Sequence, residues 1–234
     1  MGHGITGGHE GFTVPYARLV SMPPRLRPPA AVPGRGTVRR RKVDEQRREA
    51  VLLDLENLLL REGFSTLTVN SMAARLQCSK STLYAIASSK EQLVAAAIRN
   101  FFREATERIE VKIAGIEDPR ERIAVYLASI GAEMSRMSAA CYADMTATDV
   151  TWEIYRINSR AAAERVRQFV QEGVKVGAFR RVHADFVGEV VGTVIDSIQH
   201  GELLARTGLT SGDAYGELSA LVLNALEPRN PGPA

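Results

Sequence analysis

Apolar residues recur every three or four positions through most of the chain from residue 39 onward, the spacing that places them on one face of an α-helix. In the first such segment Leu55, Leu58 and Leu59 follow this spacing and Gly63 ends it, which predicts a helix over residues 43–62. The same pattern predicts further helices over residues 69–76, 80–87, 90–112, 119–136, 138–147, 151–176, 184–206 and 211–226. No convincing run of alternating apolar and polar residues occurs, so the predicted fold class is all-α.

The first 38 residues differ from the rest in composition. They are rich in proline and glycine and show no helical or strand periodicity, which is typical of a mobile leader. Residues 1–42 carry a net charge of +7, residues 43–112 are balanced, and residues 113–234 carry −4. A basic front end ahead of a neutral-to-acidic body favours contact with a polyanion, although an incidental basic tail explains the charge alone equally well.

Residues 68–90 contain two short predicted helices joined by about three residues, the arrangement of a helix-turn-helix. Thr68, Ser79 and either Ser88 or Ser89 are suited to cap the helices that follow them. The side chains expected to pack inward are Val69, Met72, Ala73, Leu76, Cys78, Leu83 and Ile86. The outward face of the second helix carries Ser79, Lys80, Ser81, Thr82, Tyr84 and Ala85. Short hydroxyls and a lysine suit contacts with DNA phosphates and base edges.

This stretch resembles the DNA-binding domain of the TetR/AcrR transcriptional regulators. The resemblance rests on Gly63-Phe64, Thr68-Val69, Ala73-Ala74 and the runs 79–84 and 89–93, with their spacing kept without a gap. The sequence departs from the family pattern where Gln77 replaces a glycine, near Ser81, where the family usually has another glycine, and where Cys78 replaces a β-branched aliphatic residue. A histidine and a phenylalanine that often follow the tyrosine are replaced by Ala85 and Ala87. These departures put the affinity and the operator geometry in doubt, but they leave the helix-turn-helix pattern intact.

The resemblance implies four segments. Residues 1–38 are a leader, residues 39–90 a three-helix DNA-binding domain with its motif at about 69–88, residues 91–226 a larger helical domain for ligand binding and dimerisation, and residues 227–234 a tail. It also implies a set of DNA-contacting residues: Arg40, Arg41, Lys42, Thr68, Ser79, Lys80, Ser81, Thr82, Tyr84 and Lys90. For Tyr84 the alternative is half-buried packing, and for Lys90 it is a solvated charge. The basic run 39–42 is expected to be a flexible arm that reaches phosphates or the minor groove, and its alternative is a solvated tail.

A stripe of methionine and aromatic residues marks the candidate ligand pocket. Its predicted lining is Phe102, Met134, Met137, Cys141, Met145, Trp152 and Tyr155. Methionine is an adaptable filler that suits a pocket for varied small, apolar or amphipathic molecules, but such a stripe is more often plain core. Cys141 is also a candidate redox sensor, although a lone cysteine is more often inert.

Two predicted helices near the end of the chain carry more apolar residues than one buried stripe requires. The candidate dimer interface consists of Val187, Val190, Val191, Val194, Ile195, Ile198, Leu218, Leu221 and Val222. In the resembled family the equivalent helices pair with their copies as a four-helix bundle, whose two-fold axis matches a palindromic operator. Packing within one chain is the alternative for any of these residues.

Catalytic and metal-binding motifs are missing from the sequence, so no enzyme activity, metal or cofactor is predicted. The longest apolar run, residues 93–98, is too short to span a membrane, and the expected location is the cytoplasm, on the nucleoid. The predicted function is a homodimeric transcriptional regulator, a repressor that binds double-stranded DNA and is released by a small molecule; activation stays open. The alternative is a ligand-independent architectural DNA binder with weak sequence preference.

Overall fold

The computed structural model describes residues 35–228, and describes side chains from residue 45 onward. Ten α-helices and no strand occur within that range. The helices are α1 (Arg35–Glu62), α2 (Val69–Arg75), α3 (Lys80–Tyr84), α4 (Lys90–Ile113), α5 (Pro119–Met134), α6 (Ala139–Thr146), α7 (Asp149–Lys175), α8 (Ala184–Gln199), α9 (Glu202–Thr207) and α10 (Ser211–Leu226). The predicted all-α fold class is therefore confirmed.

Helix α1 begins at Arg35, eight residues before the predicted start at residue 43. The run 39–42 is therefore helical and not the flexible arm expected from the sequence, because its arginines and lysine are good helix formers and no proline interrupts them. Residues 45–50 are all exposed, and the core begins one turn later. The side chains of Arg40, Arg41 and Lys42 lie outside the described residues, as do residues 1–34 of the predicted leader and 229–234 of the predicted tail.

Short polar caps define the helices around the predicted helix-turn-helix. The hydroxyl of Thr68 accepts the Ser71 N–H at 3.1 Å while the Ser71 hydroxyl oxygen accepts the Thr68 N–H at 2.9 Å, a reciprocal capping box. Ser89 caps α4 by accepting the Gln92 N–H at 3.2 Å, which decides between the two serines considered for that role. Helix α3 ends at Tyr84, three residues before the predicted end.

The predicted single helix over residues 184–206 is wrong, because the structure divides it in two. Helix α8 ends at Gln199 and α9 begins at Glu202. Between them Gly201 takes a φ of 75°, the left-handed conformation that glycine adopts without a steric penalty and that a continuing α-helix excludes.

One continuous hydrophobic core joins the helix-turn-helix to the C-terminal helices. Helix α1 packs on α4, α7 packs on α4, α5 and α8, and α10 packs on α5 and α8. Gly131 of α5 allows α10 to approach closely, since a Cβ there would lie 2.9 Å from the ring of Tyr215 on α10. Within residues 35–228 no helix combines the length and the apolar character needed to cross a membrane.

Candidate DNA-binding face and apolar groove

The outward face of α3 is polar and exposed. Leu83 is fully buried in the core, whereas Tyr84 is 50% exposed, and Ser79, Lys80 and Ser81 are exposed beside it. Ser79 caps the helix by accepting the Thr82 N–H at 3.1 Å, and its oxygen lies 2.7 Å from the Ser81 hydroxyl. Hydroxyls can rotate to donate to a phosphate, so this face offers several neutral donors and one ammonium to a polyanion.

Lys90 lies at the first position of α4, close to the helix-turn-helix. Its ammonium donates to the Ser65 carbonyl at 3.0 Å, which fixes the side chain over the loop before α2. Two of its three N–H donors remain for another acceptor, and the helix N-terminus adds a partial positive charge at the same place. The position is suited to a phosphate, and the bond to Ser65 is a structural role in itself, so the phosphate contact of Lys90 stays a prediction.

The sequence analysis did not single out two arginines of α1 that lie against α3. A groove of about 710 Å³ is lined by Glu45, Arg47 and Arg48 from α1, and by Ser79, Ser81, Thr82 and Ala85 from the α3 side. Arg48 spans the two elements, because its guanidinium donates to the Ile86 carbonyl at 3.1 Å. Arg47 and Arg48 form no ion pair among the side chains that the structure describes. The only sequence signal was a basic pair two turns before Leu55, the first buried residue of α1.

Helix α6 is attached to the helix-turn-helix region by backbone hydrogen bonds. Asp144 accepts the N–H groups of Phe64 at 2.5 Å and of Ser65 at 2.8 Å, and the Ser138 N–H donates to the Leu60 carbonyl at 2.8 Å. Burial acts to raise the pKa of Asp144, but the two backbone donors outweigh it and hold the pKa below its usual value. The ionised carboxylate is therefore the form that joins α6 to this loop.

A second junction, buried and charged, joins α1 to α4 and α5. Glu56 is 1% exposed; it accepts the Asn100 amide at 2.7 Å and pairs with Arg136 at 3.2 Å. Arg136 also pairs with Glu133, which receives a bidentate bond from Arg108 with both N···O distances at 2.8 Å. Burial raises the pKa of Glu56, whereas the hydrogen bonds from Arg108 hold the pKa of Glu133 at about 2.

The residues predicted to line a ligand pocket form a packed cluster. Phe102, Met134, Cys141, Met145 and Tyr155 are buried, while Met137 and Trp152 are partly buried. Tyr155 is at the centre, with its ring centroid 6.3 Å from Phe102, 5.6 Å from Tyr142 and 5.5 Å from Trp152. The rings contact one another between helices α4, α6 and α7, and the assignment of these residues to a ligand pocket stays a prediction beside the alternative of plain core packing.

Cys141 is unsuited to redox sensing in this conformation. Its side chain is fully buried, and burial raises the pKa of the thiol to about 12. The reactive form of cysteine is the thiolate, so a buried thiol with such a pKa is inert near neutral pH.

An apolar groove of about 830 Å³ is formed by α8, α9 and α10. Phe186 and Leu221 on its walls are each 67% exposed, and Val190 is 40% exposed. Val187, Val194, Leu218 and Val222 also line it. Three residues predicted for a dimer interface do not line it, because Val191, Ile195 and Ile198 face the opposite side of α8 and are buried in the core of their own chain. For these three, intramolecular packing replaces the predicted contact.

The two histidines at the ends of α8 have structural roles. His183 caps α8 by accepting the Phe186 N–H at 3.2 Å, and His200 contacts the Asp196 backbone carbonyl at 2.7 Å. Within the described range no three His, Cys, Asp or Glu side chains converge as a metal site.

Comparison with known proteins finds no matching family model and no matching curated sequence. Solved structures do match. A regulator from Saccharomonospora viridis, solved in complex with choline, superposes with a TM-score of 0.67 and 19% identity over 79% of this chain and all of its own. A TetR regulator from Haloarcula marismortui gives 0.66 and 16% identity over 78% and 98% of the two chains. A TetR/AcrR regulator from Thermobifida fusca gives 0.58 and 21% identity over 76% and 97%. The chain has the fold of the TetR-type transcriptional regulators.

Proposed function

We propose that this protein is a ligand-responsive transcriptional regulator, a repressor that binds a palindromic operator as a homodimer and dissociates when a small molecule binds. The observation that carries the proposal is the exposed α3 face, on which Ser79, Lys80, Ser81 and Tyr84 stand beside two arginines of α1. The TetR-type fold supports it, because a helix-turn-helix places its second helix in the major groove. As a regulator the protein would be non-enzymatic and would work in the cytoplasm, where its DNA is.

In this proposal α3 enters the major groove and the surrounding side chains contact the backbone. Ser79, Lys80, Ser81 and Thr82 approach base edges and phosphates from the start of the helix. Thr68, Tyr84 and Lys90 bind phosphates, and Arg47 and Arg48 extend the contact along the neighbouring strand. Arg40, Arg41 and Lys42 continue the same helix and are proposed to add sequence-independent affinity.

A second copy of the chain is the proposed occupant of the apolar groove on α8 and α10. Monomeric soluble proteins rarely expose a contiguous apolar patch of this kind, and Phe186, Val190 and Leu221 would lose their exposed surface in a dimer. Val187, Val194, Leu218 and Val222 would contribute what surface they still expose. A two-fold arrangement of the groove would place two α3 helices for a palindromic site.

The two polar junctions suggest how a ligand would release DNA. Helix α6 binds the loop before α2 through Asp144, and Cys141, Tyr142 and Met145 of the same helix are buried, with the Tyr142 ring 5.6 Å from that of Tyr155. A molecule that entered this cluster would displace α6 and the adjacent α4, which begins at Lys90. Bound DNA fixes the distance between half-sites at about 34–36 Å, so a small change in the separation of the two α3 helices lowers affinity. The S. viridis regulator, solved with choline, supports a small-molecule ligand.

DNA recognition is tested by selecting binding sites from a random duplex library with the wild type, with the double variant Tyr84→Ala, Lys90→Ala, and with Lys112→Ala. Lys112 is an exposed lysine at the far end of α4 and serves as the matched control. The wild type and the control should enrich one palindrome by about 10³-fold over random DNA, and the double variant should lose that enrichment.

Broad enrichment without a palindrome, together with a steep salt dependence and no effect of the double variant, would overturn the regulator and favour the architectural binder instead. The basic helical run of α1 is the feature that favours this second candidate. Thermal unfolding of each variant, measured in parallel, separates loss of contact from loss of fold.

Dimerisation is tested by measuring the solution mass of the double variant Phe186→Glu, Leu221→Glu against Val111→Glu. Val111 is a still more exposed apolar residue, but it lies on α4, away from the groove. The wild type and Val111→Glu should have the mass of a dimer, and the double variant that of a monomer. A monomeric wild type, or a double variant that remains dimeric with an unchanged stability, would refute this interface.

A further inference from the structure

A carboxylate lies beside the aromatic cluster, and Nδ1 of His200 lies 3.2 Å from the Tyr142 hydroxyl. Asp196 of α8 accepts the Tyr155 hydroxyl at 2.9 Å and forms no ion pair among the described side chains. Burial raises the pKa values of the Tyr142, Tyr155 and Tyr215 phenols, and the negative charge of Asp196 raises all three further. No arginine or lysine contributes to the pKa of any of the three. The cluster is thus an electron-rich region with an uncompensated carboxylate.

A buried acceptor without a partner lies on the same helix. Asn158 is 7% exposed; its amide nitrogen donates to the Ile154 carbonyl at 2.7 Å, but its Oδ1 has no hydrogen-bond partner in the described structure. It follows Tyr155 by three residues on α7, so the two side chains lie on neighbouring positions of one helix face. An unpartnered buried acceptor is costly, and a ligand that brings a hydrogen-bond donor or a positive charge would satisfy it.

The cluster also has a side that reaches solvent. His200 is exposed at the C-terminal end of α8, and its ring lies 5.4 Å from Tyr142 and 6.1 Å from Trp152 between centroids. Trp152 and Asp196 are partly exposed. An incoming molecule therefore meets an imidazole, an indole and a carboxylate before it reaches the buried rings.

We propose that this cluster binds an organic cation, a substituted ammonium whose positive charge lies against the ring of Trp152, which is stacked on Tyr155, with Asp196 as its counter-charge. Aromatic faces attract cations, with tryptophan the strongest of them, and an ammonium that carries alkyl groups is cheaply desolvated by such a box. A neutral or anionic molecule of the same shape has no such attraction, and the carboxylate repels the anion. This inference rests on the ligand-binding half of the proposed function and names the class of ligand.

The experiment uses the single tryptophan of the chain, Trp152, as its reporter. The full-length protein without DNA is titrated with tetramethylammonium chloride, tert-butanol and sodium pivalate, which share a compact alkyl shape but carry a positive, zero and negative charge. Sodium chloride at equal ionic strength is the salt control. We expect saturable change of the Trp152 fluorescence with tetramethylammonium alone.

Two variants locate the counter-charge. Asp196→Asn keeps an oxygen that accepts the Tyr155 hydroxyl but removes the charge, and it should weaken tetramethylammonium binding about tenfold. Glu189→Gln removes an exposed carboxylate from the same helix and should leave the binding unchanged. Thermal unfolding confirms that both variants are folded.

No saturable signal with tetramethylammonium, equal responses to the neutral and anionic probes, or equal binding by Asp196→Asn would each overturn the cation assignment. Because these titrations contain no DNA, their failure is distinguishable from failure of the regulator proposal, which the palindrome selection tests separately. Success in that selection combined with failure here would leave a DNA-binding regulator whose ligand belongs to another class.

Discussion

The two surfaces at which this protein is proposed to meet other macromolecules are of opposite kinds. The α3 face is built from hydroxyls, a lysine and a tyrosine, with every apolar side chain of the short helix turned inward, as Leu83 is. The groove on α8 and α10 exposes Phe186 and Leu221 at 67% each. Water can satisfy the hydrogen-bonding groups of the α3 face as well as DNA can, so the assignment of this face to DNA binding depends on the helix-turn-helix pattern. Water does not satisfy the second, which therefore points to a covering partner without any motif.

The regions that carry these surfaces are also held differently. The helix-turn-helix depends on local hydroxyl caps and on an exposed ion pair between Arg75 and Glu62, whereas its attachment to the remaining helices depends on the buried charges of Glu56 and Glu133. The contrast predicts that substitutions of the buried charges at the junction lower the free energy of unfolding strongly, and that substitutions of local, exposed polar groups lower it little.

The largest effect is expected for Glu56→Ala. The change leaves the Asn100 amide without its acceptor and removes one of the two carboxylates that pair with Arg136, and breaking a buried pair costs up to about 3–5 kcal/mol of the free energy of unfolding. Glu107→Ala, which removes an exposed partner of Arg103 on α4, should cost less than about 0.5 kcal/mol. Urea unfolding at pH 7 measures both, and equal losses in the two variants would show that burial at this junction carries no special weight.

Acid should weaken the junction through Glu133. Its pKa of about 2 in the folded state lies below the ordinary value of 4.5, so the ionised carboxylate stabilises the fold above about pH 4.5 and this contribution disappears as the pH falls toward 2. The shift corresponds to about 3 kcal/mol at neutral pH. The free energy of unfolding, measured between pH 7 and pH 3, should fall less steeply with falling pH for Glu133→Gln than for the wild type.

Glu62→Gln is the matched control for Glu133→Gln, because it removes the carboxylate of an exposed ion pair. Because the Glu62 and Arg75 side chains are both more than 40% exposed, its unfolding curve against pH should follow that of the wild type. A flattened curve in this variant would mean that exposed charges of the helix-turn-helix contribute to acid sensitivity as strongly as the buried ones.

An intermediate effect is expected for Asp144→Ala. The variant leaves the N–H groups of Phe64 and Ser65 without their acceptor, at a cost of about 1–3 kcal/mol. Asp144→Asn retains one acceptor oxygen and should lose less. Amide hydrogen exchange at Phe64 and Ser65 should accelerate in the alanine variant before other amides do; unchanged exchange there would argue that α6 does not hold this loop.

The smallest effect is expected within the helix-turn-helix itself, at Gln77. This residue has a φ of 49°, in the left-handed region where a side chain costs about 1–2 kcal/mol and where the resembled family has glycine. Gln77→Gly removes that cost, but a glycine loses more chain entropy on folding, which costs about 0.5–1 kcal/mol. We therefore expect the free energy of unfolding to rise by about 0.5–1 kcal/mol. Gln77→Ala keeps the conformation and should gain nothing; a gain equal to that of glycine would refute this account of the turn.

Periodicity and caps predicted much of this fold because both are local. The bounds of α2, α4 and α10 agree with the predicted helices to within one residue, and Thr68 and Ser79 are the caps that their residue types indicated. Where the prediction failed, a single backbone feature decided. Gly201 is one glycine among many in the sequence, and only its left-handed conformation in the folded chain divides α8 from α9.

The candidate site shows the same division at the level of side chains. Spacing alone identified the outward residues of α3, since a helix fixes which positions share a face. It could not decide which apolar residues of α8 face the groove, because Val190 and Val191 are equally apolar and adjacent, and only the packing of α8 on α7 leaves the first exposed and buries the second.

By itself the sequence determined the helical class, the helix-turn-helix and the polar surface of its second helix, because each depends on residues close together in the chain. The tertiary structure alone decided which distant residues meet. Arg48 reaches the Ile86 carbonyl across 38 residues, Asp144 reaches Phe64 across 80, and Tyr155 reaches Asp196 across 41. No local pattern encodes these pairings, since they arise only when the helices pack to bury a common core and their polar groups find partners on elements that the chain order keeps apart.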